Sequence, residues 1–124
     1  HVGGKDASVA EARERLGQDL IVGASCYGER DLAQQAAMSG ASYLAYGGFY
    51  PSRVKQYAVT TEAAIVDWSK AAFDLPVVVI GGMTPMNAAP LVARGADMVA
   101  AISSVYGAPS AAQAVEQFAA LFTK

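Results

Sequence analysis

Short, almost continuously apolar runs alternate along the chain with longer stretches of helical periodicity. Residues 20–24, 43–46, 76–80 and 97–102 read as strands, and their lack of polar alternation is the mark of strands buried on both faces. The stretches between them carry helix punctuation. Ser8, with Glu11 three positions on, has capping-box spacing, and Gly17 stops that helix. A second helix covers residues 29–39 and closes at Gly40, and Thr60 or Thr61 caps a third that runs to about residue 73. Thr84 followed by Pro85 is a cap-plus-proline start ended by Gly95. Ser110 begins the last helix, where Ala114, Phe118, Ala119 and Phe122 fall near helical spacing. After an opening helix, strand and helix therefore repeat four times, and right-handed crossovers predict a parallel sheet. The turns Gly40-Ala41-Ser42 and Gly95-Ala96-Asp97 repeat one another, and no linker or low-complexity segment divides the chain.

Two readings of this α/β pattern stand. His1 to Gly4 look like the end of a strand and its loop with no strand ahead of them. Four strands cannot close a (β/α)8 barrel, which takes about 250 residues. The pattern fits either an open parallel sheet or the second half of a barrel whose first half is absent.

Composition narrows the class. A chain of 124 residues is one domain, and 53% hydrophobic with 16% charged residues excludes intrinsic disorder. Residues 75–93 carry no charge, but Gly81, Gly82, Pro85, Asn87 and Pro90 interrupt them, so they do not read as a membrane span. No basic and apolar leader opens the chain, and a single cysteine, Cys26, leaves no intramolecular disulfide; both readings point to the cytoplasm. Nine Lys and Arg against eleven Asp and Glu, with no basic block, exclude a nucleic-acid surface. One histidine, His1, and one cysteine cannot build a structural zinc site.

In parallel α/β folds the chemistry sits at the C-terminal ends of the strands. Asp6, after the opening Gly3-Gly4, is either a Mg²⁺ ligand or an aspartate favoured by a helix start. Ser25 is a phosphate donor or a turn serine, and Cys26 is most simply a small buried hydrophobe. The loop over residues 47–60 is the longest and most polar. Its Gly47-Gly48 allows close backbone approach, and Ser52, Arg53, Val54 and Lys55 set two cations beside a hydroxyl, which suits a multiply charged phosphate. Gly81-Gly82 before the Thr84 helix start, paired with Ile102-Ser103-Ser104 one unit later, forms a second phosphate-binding pattern.

Taken together, these motifs resemble the thiamine phosphate synthase family of (β/α)8 barrel enzymes. The resemblance rests on His1-Val2-Gly3-Gly4-Lys5-Asp6, on Gly23-Ala24-Ser25, on the block from Gly40 to Lys55, on Val78 to Ala88 and on Gly95 to Ser103. It implies that residues 1–124 are a single partial domain, the C-terminal half of a (β/α)8 TIM barrel. It implies a Mg²⁺-dependent transferase of thiamine biosynthesis. Such an enzyme couples 4-amino-5-hydroxymethyl-2-methylpyrimidine diphosphate to 4-methyl-5-(2-phosphoethyl)thiazole and releases pyrophosphate by a dissociative route. Asp6 is then a Mg²⁺ ligand. Ser25 and Lys55 contact the pyrimidine diphosphate as catalytic residues, and Lys55 stabilises the departing pyrophosphate. Ser52, Arg53, Val54, Gly82, Ile102 and Ser103 line the thiazole phosphate pocket.

The chain departs from the family pattern in places. Val54 stands where the family usually has threonine, which removes a hydroxyl, and Gly4-Lys5 replaces a more polar and acidic pair. The family's arginine- and lysine-bearing diphosphate loop and a second Mg²⁺ aspartate belong to the first half of the barrel, so this chain by itself is not expected to be a complete catalyst. A related thiazole tautomerase is similar but uses a histidine near positions 25–27; none stands there, and Lys55 is present. Two further alternatives are a phosphate-binding half-barrel without catalysis and a purely structural α/β remnant with no ligand, the latter opposed by the concentration of motif residues at strand ends. The open inner face of a half-barrel is a large apolar patch, to be covered by the missing half or by self-association.

Overall fold

The computed structural model describes residues 1–51 and 61–123. The elements run α1 (Val9–Leu16), β1 (Gly23–Tyr27), α2 (Arg30–Met38), β2 (Tyr43–Tyr46), α3 (Ala64–Ala72), β3 (Val77–Ile80), α4 (Pro85–Ala93), β4 (Met98–Ala100), α5 (Ser103–Tyr106) and α6 (Ala111–Ala120). The strands pair in chain order, β1-β2-β3-β4, and every pairing is parallel. Ahead of β1, Val2 extends the sheet through a parallel bridge to Ala24. The Val2 N–H donates to the Gly23 carbonyl at 2.9 Å, and Ser25 N–H donates back to the Val2 carbonyl at 2.9 Å. The strand end expected at the start of the chain is therefore present, and so is the parallel α/β sheet.

Strand side chains alternate between the two faces, and the register shows what each face holds. On the helix-covered face Ala24, Leu44 and Val77 stand in one row, and Tyr46, Val79 and Val99 in the next. Leu44, Tyr46, Val77 and Val79 have no exposed surface and form the centre of the core with Val66, Ala88 and Leu91 from the helices. The Tyr46 hydroxyl enters this core only because it donates to Ser69 Oγ of α3 at 2.8 Å, so neither buried group lacks a partner. On the other face Ser25, Ala45, Val78 and Met98 align, with Ile80 beside Ala100. That face is more open: Ile80 is 37% and Met98 43% exposed.

Caps behave as local chemistry dictates. Ser8 accepts from the Glu11 N–H, Ser110 from the Gln113 N–H, and Thr84 and Asn87 form a reciprocal capping box ahead of Pro85. At the opposite end of the sheet Arg13 gathers three turns. Its guanidinium donates to the carbonyls of Gly17, Leu20 and Gly40 and to Ser42 Oγ, which joins the end of α1 to the lead-in of β1 and the turn before β2.

Four expectations are corrected. The first full strand is β1, not residues 20–24: Leu20 and Ile21 are 54% and 77% exposed, and the ladder begins only where Tyr43 pairs with Gly23. As a result Ser25, Cys26 and Tyr27 belong to a strand and not to a loop. The third helix starts at Ala64 without a side-chain cap, because Thr61 turns away to donate from Oγ1 to the Gly47 carbonyl at 2.6 Å; Thr60 lies outside the described residues. The last strand is trimmed to β4. Asp97 leaves it to accept from the Val77 N–H and the Lys70 ammonium, and Ile102 becomes the N-cap of the short helix α5, which no sequence pattern announced.

Candidate functional site

A parallel sheet delivers all its C-terminal strand ends to one edge, and here the loops leaving that edge touch in sequence. The turn Gly3-Gly4 lies against Ser25 and Tyr27. A Cβ on Gly3 would stand 2.6 Å from Ser25 Cβ, and one on Gly4 would stand 3.0 Å from the Tyr27 hydroxyl. Gly28 abuts Thr61, whose hydroxyl and N–H bind the carbonyls of Gly47 and Gly48. Gly47 lies beneath the Ile80 carbonyl, and Gly82 meets the Pro51 carbonyl. Ser104 Oγ then donates to the Met83 carbonyl, binding the loop after β3 to the loop after β4. Among the described residues, contacts between neighbouring loops thus run along this edge, or rim, from Gly3 to Ser104.

Asp6 stands on this rim, exposed. Its N–H donates to the Gly3 carbonyl at 2.9 Å, and its Oδ2 accepts from the Gly3 N–H at 3.1 Å, so the turn orients the carboxylate. Among the described residues no group of three or more His, Cys, Asp or Glu could hold a metal ion. Among the described residues Asp6 is thus a single oriented carboxylate, a hard oxygen donor of the kind a divalent cation takes.

Gly81 and Gly82 adopt φ of +93° and +63°, a conformation that favours glycine. The loop they form is held from two sides, by Asn87 Nδ2 donating to the Gly82 carbonyl at 2.9 Å and by the Tyr50 hydroxyl donating to the Asn87 carbonyl at 2.7 Å. Ile102 and Ser103 follow β4 at the start of α5, both exposed. The two glycine- and serine-bearing loops paired from the sequence are thus neighbours in space. Ser52, Arg53, Val54 and Lys55 lie outside the described residues.

Ser25 does not stand alone. His1 Nε2 lies 2.6 Å from Ser25 Oγ, and His1 Nδ1 lies 2.7 Å from the Tyr43 hydroxyl. The register explains how. With Val2 beside Ala24 and Gly23 beside Tyr43, the row on the open face reads His1, Gly23, Tyr43. Gly23 has no side chain, so the Tyr43 ring lies across it and reaches the imidazole, with ring centroids 5.8 Å apart. A Cβ on Gly23 would fall 1.8 Å from Tyr43 Cζ. No histidine stands at positions 25–27 of the sequence, yet His1 reaches Ser25 from the neighbouring strand end. The signal lay in the Gly23-Ala24-Ser25 motif, whose glycine clears the way, but only the pairing of Val2 with Ala24 identifies the histidine.

Cys26 faces the core with no exposed surface, the small hydrophobe expected. Burial pushes its thiol up to about 11, with a backbone hydrogen bond from Ala45 opposing it weakly. In the unfolded chain the thiol ionises near 9.0, whereas in the folded chain it keeps its proton to about 11. Stability is therefore fully present below pH 9 and is lost as pH rises toward 11, with a slope of at most about 1.4 kcal/mol per pH unit from this group. Tyr46, raised to about 12 chiefly by burial, adds to the loss at the upper end. Urea midpoints measured between pH 8.5 and 10.5 are expected to fall more steeply for the wild type than for Cys26→Ala; parallel slopes would refute this.

No helix among the described residues is long and apolar enough to cross a membrane. Residues 1–105 match the family model of thiamine monophosphate synthase. The chain is 60% identical over its whole length to a thiamine-phosphate synthase of Janthinobacterium sp. (strain Marseille), of which it covers 60%. It is 45% identical over 98% of its length to one of Thiobacillus denitrificans, of which it covers 58%. It thus spans about three fifths of the length of these relatives. In structure it is similar to thiamine phosphate pyrophosphorylase from Pyrococcus furiosus, with a TM-score of 0.81 and 30% identity over 98% of this chain and 57% of that one. By sequence and by fold, the chain belongs to the thiamine monophosphate synthase family.

Proposed function

We propose that the full-length protein carrying this chain couples 4-amino-5-hydroxymethyl-2-methylpyrimidine diphosphate to 4-methyl-5-(2-phosphoethyl)thiazole, giving thiamine phosphate and pyrophosphate. The observation that carries this reading is the line of loop contacts among the described residues, where Asp6, Ser25, Gly82 and Ser103 stand along one sheet edge in a chain of this family. In the proposed reaction the C–O bond to the diphosphate breaks and its electron pair leaves with pyrophosphate. The thiazole nitrogen lone pair then forms the new C–N bond to the pyrimidine methylene cation. Such a reaction needs anion stabilisation and alignment more than a base or a nucleophile.

Each residue has a part in this proposal. Ser25 donates to the diphosphate, and Lys55 places a positive charge against the leaving pyrophosphate. Gly82 and Ser103 offer N–H and hydroxyl donors to the thiazole phosphate, with Ser52, Arg53, Val54 and Ile102 lining the same pocket. Asp6 fits a Mg²⁺ ion as one carboxylate ligand, and the bound ion would neutralise diphosphate charge. The open sheet face of Ile80 and Met98 is read as the inside of a (β/α)8 barrel, of which this chain is the C-terminal half, closed by the rest of a chain as long as its relatives; a cytoplasmic setting goes with this reading. The test is pyrophosphate release by the full-length protein with Mg²⁺. Release is expected only when both substrates are present. Binding of both without release would overturn the reading in favour of a phosphate-binding module without catalysis.

A further inference from the structure

We propose that His1 is a positioning residue, which holds the Ser25 hydroxyl as a hydrogen-bond donor toward the bound anion, and that Tyr43 sets the protonation of His1 for that task. The proposal rests on the reading of Ser25 given under Proposed function. The three groups form a single line, Tyr43 hydroxyl to His1 Nδ1 at 2.7 Å and His1 Nε2 to Ser25 Oγ at 2.6 Å, and each has few ways to satisfy it. A neutral imidazole has one donor and one acceptor nitrogen, and a hydroxyl has one proton.

Two neutral arrangements exist. In the first, Tyr43 donates to Nδ1, Nε2–H donates to Ser25, and the serine proton is free to point at an anion. In the second, the serine proton is spent on Nε2 and Nδ1–H points at Tyr43. That is the arrangement of a serine being prepared as a nucleophile. A reaction that expels a diphosphate calls for the first. The phenol is a ready donor for Nδ1, and a polyanion beside the site favours the same outcome, since an imidazolium also donates to Ser25 and leaves the serine proton free. Two glycines serve the line. Gly23 lets Tyr43 lie across to the imidazole, and Gly3 leaves room for Ser25 beside the Val2 strand end.

The line can be tested in the full-length protein by kinetics and by nitrogen NMR of the imidazole. His1→Leu is expected to lower kcat roughly tenfold or more, as misorientation of a reacting group does, and to leave KM for the thiazole phosphate unchanged. His1→Gln, whose amide N–H can still donate to Ser25, is expected to recover part of the loss. In the wild type the NMR spectrum is expected to show the Nε2–H form or the imidazolium, and Tyr43→Phe is expected to admit the Nδ1–H form. Unchanged kcat in His1→Leu, or an Nδ1–H imidazole in the wild type, would overturn the proposal; if His1→Leu does not fold, the wild-type spectrum decides alone. A wild type that binds both substrates without turnover but shows the Nε2–H form would instead count against the reaction and leave the line of hydrogen bonds standing.

Discussion

Gly82→Ala in the full-length protein is expected to raise KM for the thiazole phosphate at least tenfold while the protein stays folded. Two costs fall on one residue. The left-handed φ of +63° costs a side-chain-bearing residue roughly 1–2 kcal/mol, and the added Cβ would stand 2.3 Å from the Pro51 carbonyl oxygen. Backbone cannot yield as a flexible side chain can, so the loop has to move. Its movement is transmitted directly, because Asn87 grips the Gly82 carbonyl and Ser104 grips the next one, Met83. Loss of about 1.4 kcal/mol of binding is tenfold, and in the proposed function, where this loop cradles the thiazole phosphate, its displacement by a fraction of an ångström reaches that. Steady-state kinetics with each substrate varied in turn provide the check. An unaltered KM for the thiazole phosphate in a folded variant would show that this loop does not hold it.

Leu44→Ala is expected to produce the largest loss of stability, about 2–5 kcal/mol. Leu44 has no exposed surface, and it stands in β2 between Ala24 and Val77 on the helix-covered face. Its strand is flanked by β1 and β3, and its row neighbour Ala24 is too small to expand into the space. The cavity therefore stays open, and the cost combines lost burial with lost contacts. Urea unfolding of the wild type and the variant measures it, and a difference below about 1 kcal/mol would mean that the sheet and helices close over the gap. Leu44 is turned away from the rim, so kcat per folded molecule at low temperature is expected to hold.

The sequence determined what depends on near neighbours along the chain. Apolar runs located β2, β3 and β4, the last with residues to spare at both ends, and the serine and threonine caps at Ser8, Thr84 and Ser110 stand where their spacing placed them. Glycines marked the turns, since Gly40 and Gly95 have φ of +95° and +114°. Five strand-end motifs in order were enough to point to the family that the comparisons bear out.

Tertiary structure decided what depends on a partner distant in sequence. β1 begins at Gly23 because the residues able to complete its ladder are Val2 and Tyr43, and nothing in the run 20–24 encodes where those partners lie. Thr61 has the right type for a cap, yet a carbonyl across the rim takes its hydroxyl. The contacts of His1 are not legible locally because its neighbours, Ser25 and Tyr43, are 24 and 42 positions away. Parallel pairing brings side chains from separate strands into one row across the sheet, and local pattern carries no record of which residues share it.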